Sequence, residues 1–183
     1  TWDDGRIAEG KSGGNPYGLL QMGGNKDSWS TQIGGKAAIE FKPFSGFNLS
    51  AVVAPYINYV KTKEFKKKAF YTLASDPDAF GGWLEDNATP YSTNKLTEER
   101  NDSYNVTAQL IANYMRTFDK HSVTLMAGYE NYYEKTENLS AARDQYVLDQ
   151  YPYRNVGPKD YRDNKGKATE YTYNSGFGRV IDN

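Results

Sequence analysis

Few side chains in this sequence belong to the types that carry out covalent chemistry. The chain has one histidine, His121, and no cysteine, so it has neither a thiol nucleophile nor a thiolate metal site. His121 follows Asp119 and Lys120 in a short turn, where a histidine is far more often solvated than catalytic, and no G-x-S-x-G elbow is present. Asp76 and Asp78 in "SDPDAF" lack the surrounding spacing of an EF-hand. We therefore expect no enzyme, no metal site and no cofactor.

Aromatic side chains in two polar segments are stronger candidates for binding. The sequence contains 16 tyrosines, and aromatic residues make up 15% of it. Aromatic faces with polar tips suit carbohydrate, peptide and protein surfaces alike, although most such residues pack within their own loops. The candidate ligand-contacting residues are Phe80, Trp83, Tyr91, Tyr146, Tyr151 and Tyr153.

Composition and charge exclude several classes of function. The net charge of −1 and the pI of about 5.9 argue against nucleic acid as a partner. The mean hydropathy is −0.82, and no apolar run reaches the length of a transmembrane helix. A transmembrane β-barrel remains compatible with these values, because its strands are only half apolar and its loops can be long and polar.

The stretch "FNLSAVVAPYINYVKTK", residues 47–63, alternates apolar and polar residues over a length that is unusual for a soluble domain. The same alternation recurs along the chain. Strands are predicted at about 31–42, 47–62, 103–117, 122–135 and 169–180. We interpret residues 1–30 as a loop or linker segment and residues 31–183 as a partial β-barrel. Pro55 lacks a backbone donor, so we expect a bulge or a missing ladder bond there.

The alternation also predicts which residues share a face. One face should be apolar and meet lipid, and the other, rich in Asn, Ser, Thr, Gln and Gly, should meet water. The expected apolar face of the second, third and fourth strands includes Leu49, Ala51, Val53, Ile57, Val106, Ala108, Leu110, Val123, Leu125 and Ala127. In the last strand, Tyr171, Tyr173 and Phe177 alternate with Thr172, Asn174, Gly176 and Gly178.

The predicted connections alternate between short and long. Tight turns lie near Ser45 and Lys120, whereas about 64–100 and 136–168 form long loops. Apolar spacing predicts short helices within both loops, at 64–74 and near 138–146. Short turns on one side, long loops on the other and aromatic residues that bound the apolar faces are typical of an outer-membrane barrel. The predicted fold is an all-β antiparallel up-and-down meander, part of a transmembrane β-barrel with two long extracellular loops. A soluble β-sandwich is the alternative.

Several runs resemble SusC/RagA-like TonB-dependent outer-membrane receptors of Bacteroidetes. The similar segments are "LTEERNDSYN", the hairpin "FDKHSVTLMAGYE", the loop "NLSAARD" and the strand "YNSGFGR". The resemblance covers about residues 27–183. The plug domain and TonB box of that family have no counterpart in these residues, so we expect a mid-barrel segment of a longer receptor.

The resemblance implies a place in the bacterial outer membrane and energised import of a large nutrient, an oligosaccharide or a peptide. The implied partners are a SusD-type surface lipoprotein, TonB acting through the absent plug, and outer-membrane lipid. The sequence also leaves open a soluble β-rich carbohydrate- or protein-binding module. Because five strands cannot close a barrel, we expect the 183 residues alone neither to insert stably nor to transport.

Overall fold

The computed structural model describes residues 1–10, 14–119, 121–147, 152–160 and 162–182. Within those ranges the chain is mostly β-structure, with one short helix, α1 (Pro16–Met22). The strands are β1 (Gly24–Gly34), β2 (Ala37–Phe41), β3 (Phe47–Lys66), β4 (Phe70–Leu73), β5 (Asp76–Trp83), β6 (Glu85–Asp86), β7 (Thr89–Pro90), β8 (Lys95–Phe118), β9 (His121–Asp144) and β10 (Arg162–Asp182).

The long strands form one sheet in the order β1-β3-β8-β9-β10, and β2 also pairs with β3. The β2–β3 hairpin is antiparallel, with a register that runs from Ala37 opposite Val53 to Phe41 opposite Leu49. The predicted pairings of the first and second hairpins and of the last strand with β9 are confirmed. Tight turns impose the two hairpin pairings because they place the strands that they join side by side.

The strand opposite β3 is interrupted beside Pro55. β1 ends at Gly34 and β2 begins at Ala37, and the Gly35 N–H still donates to the Pro55 carbonyl at 3.1 Å. Proline has no N–H to return, so the ladder cannot be completed at this point. The expected irregularity at Pro55 therefore takes the form of a break in its partner strand.

Gly46 closes the β2–β3 turn in a conformation that requires glycine. Its φ is +85°, and a Cβ at this position would lie 2.2 Å from the carbonyl oxygen of Met115. The Met115 N–H in turn donates to the Gly46 carbonyl at 2.8 Å. The turn is thus joined directly to β8, the next strand of the sheet.

The short helices predicted in the two long loops are wrong. Residues 64–66 continue β3, and Phe70–Leu73 form β4, whose Phe70 pairs with Trp83 of β5. Residues 138–144 continue β9, where Ser140 still reaches Glu99 of β8. Cross-strand partners outweigh a weak helical spacing in both places, and Phe70, Tyr71 and Thr72 are themselves residues that favour strands.

The prediction that residues 1–30 form only loop also needs correction. Asn15 caps α1, with its side-chain oxygen accepting from the Gly18 N–H at 3.0 Å, and Pro16 occupies the first turn, where its missing donor costs nothing. β1 begins at Gly24, whose φ is +102°. A Cβ on Gly24 would lie 1.8 Å from the Phe65 carbonyl oxygen, so glycine is needed where the chain meets β3.

The chain divides into two compact units, of which unit 1 comprises 1–29, 61–100 and 139–166. Unit 1 contains the fully buried side chains, in two clusters. The first cluster contains Ile7, Ala69 and Leu84, with Leu19, Met22, Tyr71 and Tyr91 packed against it. The second contains Phe65, Leu96 and Tyr146. The two long connections therefore have hydrophobic cores of their own.

Unit 2 comprises 30–60, 101–138 and 167–183, and its strands alternate in exposure. The more exposed positions of β3, β8 and β9 are those of the predicted apolar face. Exposed members of this face include Val53, Tyr59, Tyr104, Leu110, Leu125 and Tyr129. A common groove is lined by Phe47 of β3, Ala112 of β8, and Leu125 and Ala127 of β9. This agrees with the prediction that the alternate apolar positions of these three strands share one face. No helix among the described residues has the length and apolarity needed to cross a bilayer.

Candidate ligand-contacting surfaces

Phe80 and Trp83 lie together on the β4–β5 hairpin of unit 1. Their ring centroids are 5.3 Å apart, and Phe70 lies 6.2 Å from Phe80 and 6.5 Å from Trp83. We call Phe70, Phe80 and Trp83 the aromatic triad. Phe70 is 46% exposed and Phe80 58% exposed, so the triad presents ring surface to its surroundings. Edge-to-face packing holds the three rings in fixed relative positions.

Tyr71 supports the triad from the other side of the hairpin. A Cβ on Gly81 would lie 2.7 Å from the Tyr71 ring, and a Cβ on Gly82 would lie 2.6 Å from the Tyr71 hydroxyl. The two glycines thus make room for the Tyr71 ring, which also packs against the first cluster of unit 1. This packing explains a Gly-Gly pair within a strand, and it fixes the hairpin that displays the triad.

Tyr91 and Tyr146 have different surroundings from the triad. Tyr91 packs against the first cluster, and the Lys66 ammonium lies 5.4 Å from its ring centroid. Tyr146 is only 4% exposed, and its ring contacts the Phe65 ring edge-to-face with the centroids 5.6 Å apart. It therefore has no exposed ring face that a ligand could contact. Burial raises the pKa of the Tyr146 hydroxyl, whose oxygen has no hydrogen-bond partner among the described residues.

Asn94 links the two long connections of unit 1 through hydrogen bonds to the backbone of each. It is buried, its side-chain oxygen accepts from the Lys68 N–H at 2.7 Å, and its amide donates to the Tyr146 carbonyl at 3.2 Å. One side chain therefore satisfies backbone groups from both connections. Its role has no sequence motif, because the two partners are distant along the chain.

Tyr153 does not belong to the triad. Tyr153 is 59% exposed, and the Lys63 ammonium lies 4.6 Å from its ring centroid, as in a cation–π contact. Tyr151 lies outside the described residues. The five candidates within the described residues are therefore not one site. The ligand-binding role of each stays a prediction, and the triad is the arrangement best suited to it.

The polar face of unit 2 carries a second group of interacting side chains, centred on Glu130. Glu130 accepts from the Gln109 amide at 2.5 Å and from the Tyr173 hydroxyl at 2.9 Å. The Tyr173 ring stacks on Tyr132 at 5.1 Å, and the Tyr132 hydroxyl donates to Glu134 at 2.6 Å. Two carboxylates and two stacked rings thus lie in one strip across β8, β9 and β10.

The placement of Tyr173 in this strip corrects the expectation for the last strand. Tyr173 and Phe177 lie on the face of Glu130 and Gly128, whereas Gly178 lines the groove on the apolar face. The rule that Thr, Asn and Gly mark the wetter face therefore fails in β10. A tyrosine ring is compatible with either face, and its hydroxyl finds a polar partner here.

The groups considered for metal or covalent chemistry are engaged in local contacts. Asp78 pairs with Arg6 at 2.7 Å, and Asp76 accepts from the Asp78 N–H at 2.9 Å. Hydrogen bonds from Arg6 hold the pKa of Asp4 below its usual value. His121 is exposed, 3.6 Å from Asp182. No three His, Cys, Asp or Glu side chains in the described ranges are arranged to hold a metal ion.

Comparison with solved structures identifies similar chains. The "RagAB peptide transporter" matches with a TM-score of 0.71 and 19% identity, over 91% of this chain and 17% of that chain. The RagAB peptide importer in its "open-open" state matches with a TM-score of 0.71 and 18% identity, over 92% of this chain and 17% of that chain. The importer in its "closed-closed" state matches with a TM-score of 0.69 and 19% identity, over 86% of this chain and 16% of that chain. No family model and no curated protein matches. The chain thus spans less than a fifth of the chains it resembles, and the fold resemblance expected from the sequence is confirmed.

Proposed function

We propose that this chain is a wall segment of a TonB-dependent outer-membrane transporter that imports a large nutrient, an oligosaccharide or a peptide. Its apolar face meets lipid, and its polar face, with Glu130 and Tyr173, lines the lumen. The long connections of unit 1 lie outside the cell, where a SusD-type lipoprotein covers the transporter. TonB acts through a plug domain elsewhere in the protein. Transport, not catalysis, is the activity.

The observation that carries this proposal is an exposed apolar face bounded by aromatic residues. At one end, Phe44 stacks on Phe47 at 5.1 Å and contacts Tyr114 at 6.4 Å. At the other, Tyr104 contacts Tyr133 at 6.4 Å. The strand length from Tyr104 to Tyr114 is about 33 Å at 3.3 Å per residue, and the usual tilt shortens it to about 25 Å across the membrane, the height of an outer-membrane apolar band.

The same observation disfavours a soluble binding module. A soluble antiparallel sheet would bury its apolar face against a second layer, whereas Val53, Leu110 and Leu125 are between 41% and 47% exposed. The names of the similar structures make peptides the first cargo to test. The aromatic triad is suited to contact peptide or sugar on the outer side.

Uptake by intact cells tests the proposal. Cells that express the full-length protein and its partner lipoprotein are given fluorescent peptides or oligosaccharides, with and without a protonophore. We expect uptake of one class that requires both the gene and the proton-motive force. Uptake that is unchanged in a deletion strain would refute the proposal.

The triad is tested in the same assay. Trp83→Ala should weaken cargo binding or partner binding, with a cost of about 1–2 kcal/mol, because a large part of binding energy comes from a few aromatic side chains. Tyr17→Ala removes an exposed aromatic side chain of α1, outside the triad, and is the control. Equal effects of the two substitutions would argue against a binding role for the triad.

A further inference from the structure

A groove of about 330 Å³ crosses the apolar face of unit 2. Its floor is made of small residues, Ala112 of β8, Ala127 of β9 and Gly178 of β10, and its walls include Phe47, Tyr114 and Leu125. Glycine at 178 is not required by packing, because a Cβ there would meet only the Met126 carbonyl oxygen, at an ordinary 3.5 Å. The space above Gly178 is therefore open, and it is bordered by the larger side chains of Phe47, Tyr114 and Leu125.

The groove lies at the aromatic end of the apolar face. Phe47 and Tyr114, which both line the groove, contact Phe44 in the β2–β3 turn. In the orientation proposed above, this end lies on the periplasmic side, and the groove opens into the hydrocarbon of the inner leaflet. Asn113 and Arg179 also border the groove, but most of its lining surface is apolar, which suits an acyl chain better than a charged ligand.

We propose that this groove holds one acyl chain of a phospholipid in the periplasmic leaflet of the outer membrane. The inference rests on the proposed function and adds a defined lipid position to it. Between apolar groups already in hydrocarbon, the hydrophobic effect contributes little, and attraction comes from close packing. A flexible chain that fills the groove gains dispersion contacts with Ala112, Ala127 and Gly178 that a flat apolar wall would not provide.

Photo-crosslinking tests the position of the chain. The full-length protein is reconstituted in nanodiscs of phosphatidylethanolamine, a fraction of which carries a diazirine in one acyl chain. Cross-linked residues are then mapped by mass spectrometry. We expect Phe47, Tyr114 and Leu125 to be labelled severalfold more than Val53 and Leu110, which lie on the same face outside the groove.

Two glycine substitutions provide the matched comparison. Gly178→Leu fills the floor and should abolish the excess labelling of Leu125. Gly176→Leu adds the same side chain two residues away on the same parity, where a Cβ has nothing within 4 Å, and should leave the labelling unchanged.

Each failure has a separate meaning. Equal labelling of the groove and of Val53, equal effects of the two leucine substitutions, or cross-links that join two copies of the protein would each overturn the acyl-chain proposal alone. If no residue of this face is labelled, Val53 and Leu110 included, the membrane orientation of the proposed function fails with it. The uptake assay then shows independently whether the protein transports.

Discussion

The ring of Phe177 lies over the backbone of Gly128, so closely that a Cβ at position 128 would come within 2.2 Å of it. Gly128→Ala should therefore destabilise the folded protein by about 1–3 kcal/mol, as overpacking does elsewhere. Gly176→Ala is the control, because its Cβ would meet nothing within 4 Å. The measurement is urea unfolding of the full-length protein in detergent. Phe177→Leu should relieve the cost in the double variant, and no relief would mean that the ring contact is not its cause.

Gly46 and Gly5 allow backbone strain to be separated from steric contact. Both have positive φ values, +85° and +88°, so alanine at either should cost about 1–2 kcal/mol of strain. Only at Gly46 would the new Cβ also meet a backbone atom, the Met115 carbonyl oxygen. Gly46→Ala should thus lower the unfolding midpoint well beyond Gly5→Ala. Equal shifts would show that the turn moves freely away from β8.

The sequence placed one strand at 31–42 where the structure has β1 and β2. Its alternation was nevertheless sufficient to predict the other long strands, their pairings and the shared face of β3, β8 and β9. Those features depend on local signals, namely period two and tight turns. The face of β10 depends instead on distant contacts with β9, among them Tyr173 with Glu130 and Phe177 with Gly128, and residue types alone do not determine it.

The packing inside the long connections could not be predicted from the sequence either. Phe70 and Leu73 are three residues apart, which fits a helix until the strand that pairs with them is known. Phe80 and Trp83 lie together on one hairpin, and their ligand-binding role stays a prediction, whereas Tyr146 is a core residue. Its burial depends on Phe65, Leu96 and the bond from Asn94 to its carbonyl, all distant in sequence.

Asn94→Ala should loosen unit 1 by about 1–3 kcal/mol, because it removes the bonds to the Lys68 N–H and the Tyr146 carbonyl from a buried site. Hydrogen exchange of the full-length protein should show faster exchange around residues 67–94. Asn25→Ala, which removes only an exposed bond to Asp27, is the control. Unchanged protection at 67–94 would contradict the bridging role of Asn94.

Tyr146 should make the stability of unit 1 sensitive to alkaline pH. Its pKa is raised by burial, so the folded state keeps the proton at pH values where the unfolded state has lost it. Its contribution is complete below the usual tyrosine pKa of about 10 and is lost as pH rises through the higher folded value. Tyr146→Phe should preserve stability at pH 7, since the hydroxyl oxygen has no partner among the described residues, and should reduce the alkaline loss. The rate of proteolysis of unit 1 between pH 8 and 11 measures the alkaline loss of stability. If Tyr153→Phe reduces this loss as much as Tyr146→Phe does, Tyr146 is not its cause.

A charge on each face of β8 tests the orientation of the sheet in the membrane. Ala108 belongs to the apolar parity, and Gln109 points to Glu130 on the polar face. If the apolar parity meets lipid, Ala108→Arg should cost about 2–4 kcal/mol near the membrane midplane. Gln109→Arg places the same charge beside a carboxylate and should cost far less. Unfolding of both full-length variants from lipid vesicles gives the two free energies, and a larger cost at position 109 would mean that the faces are reversed.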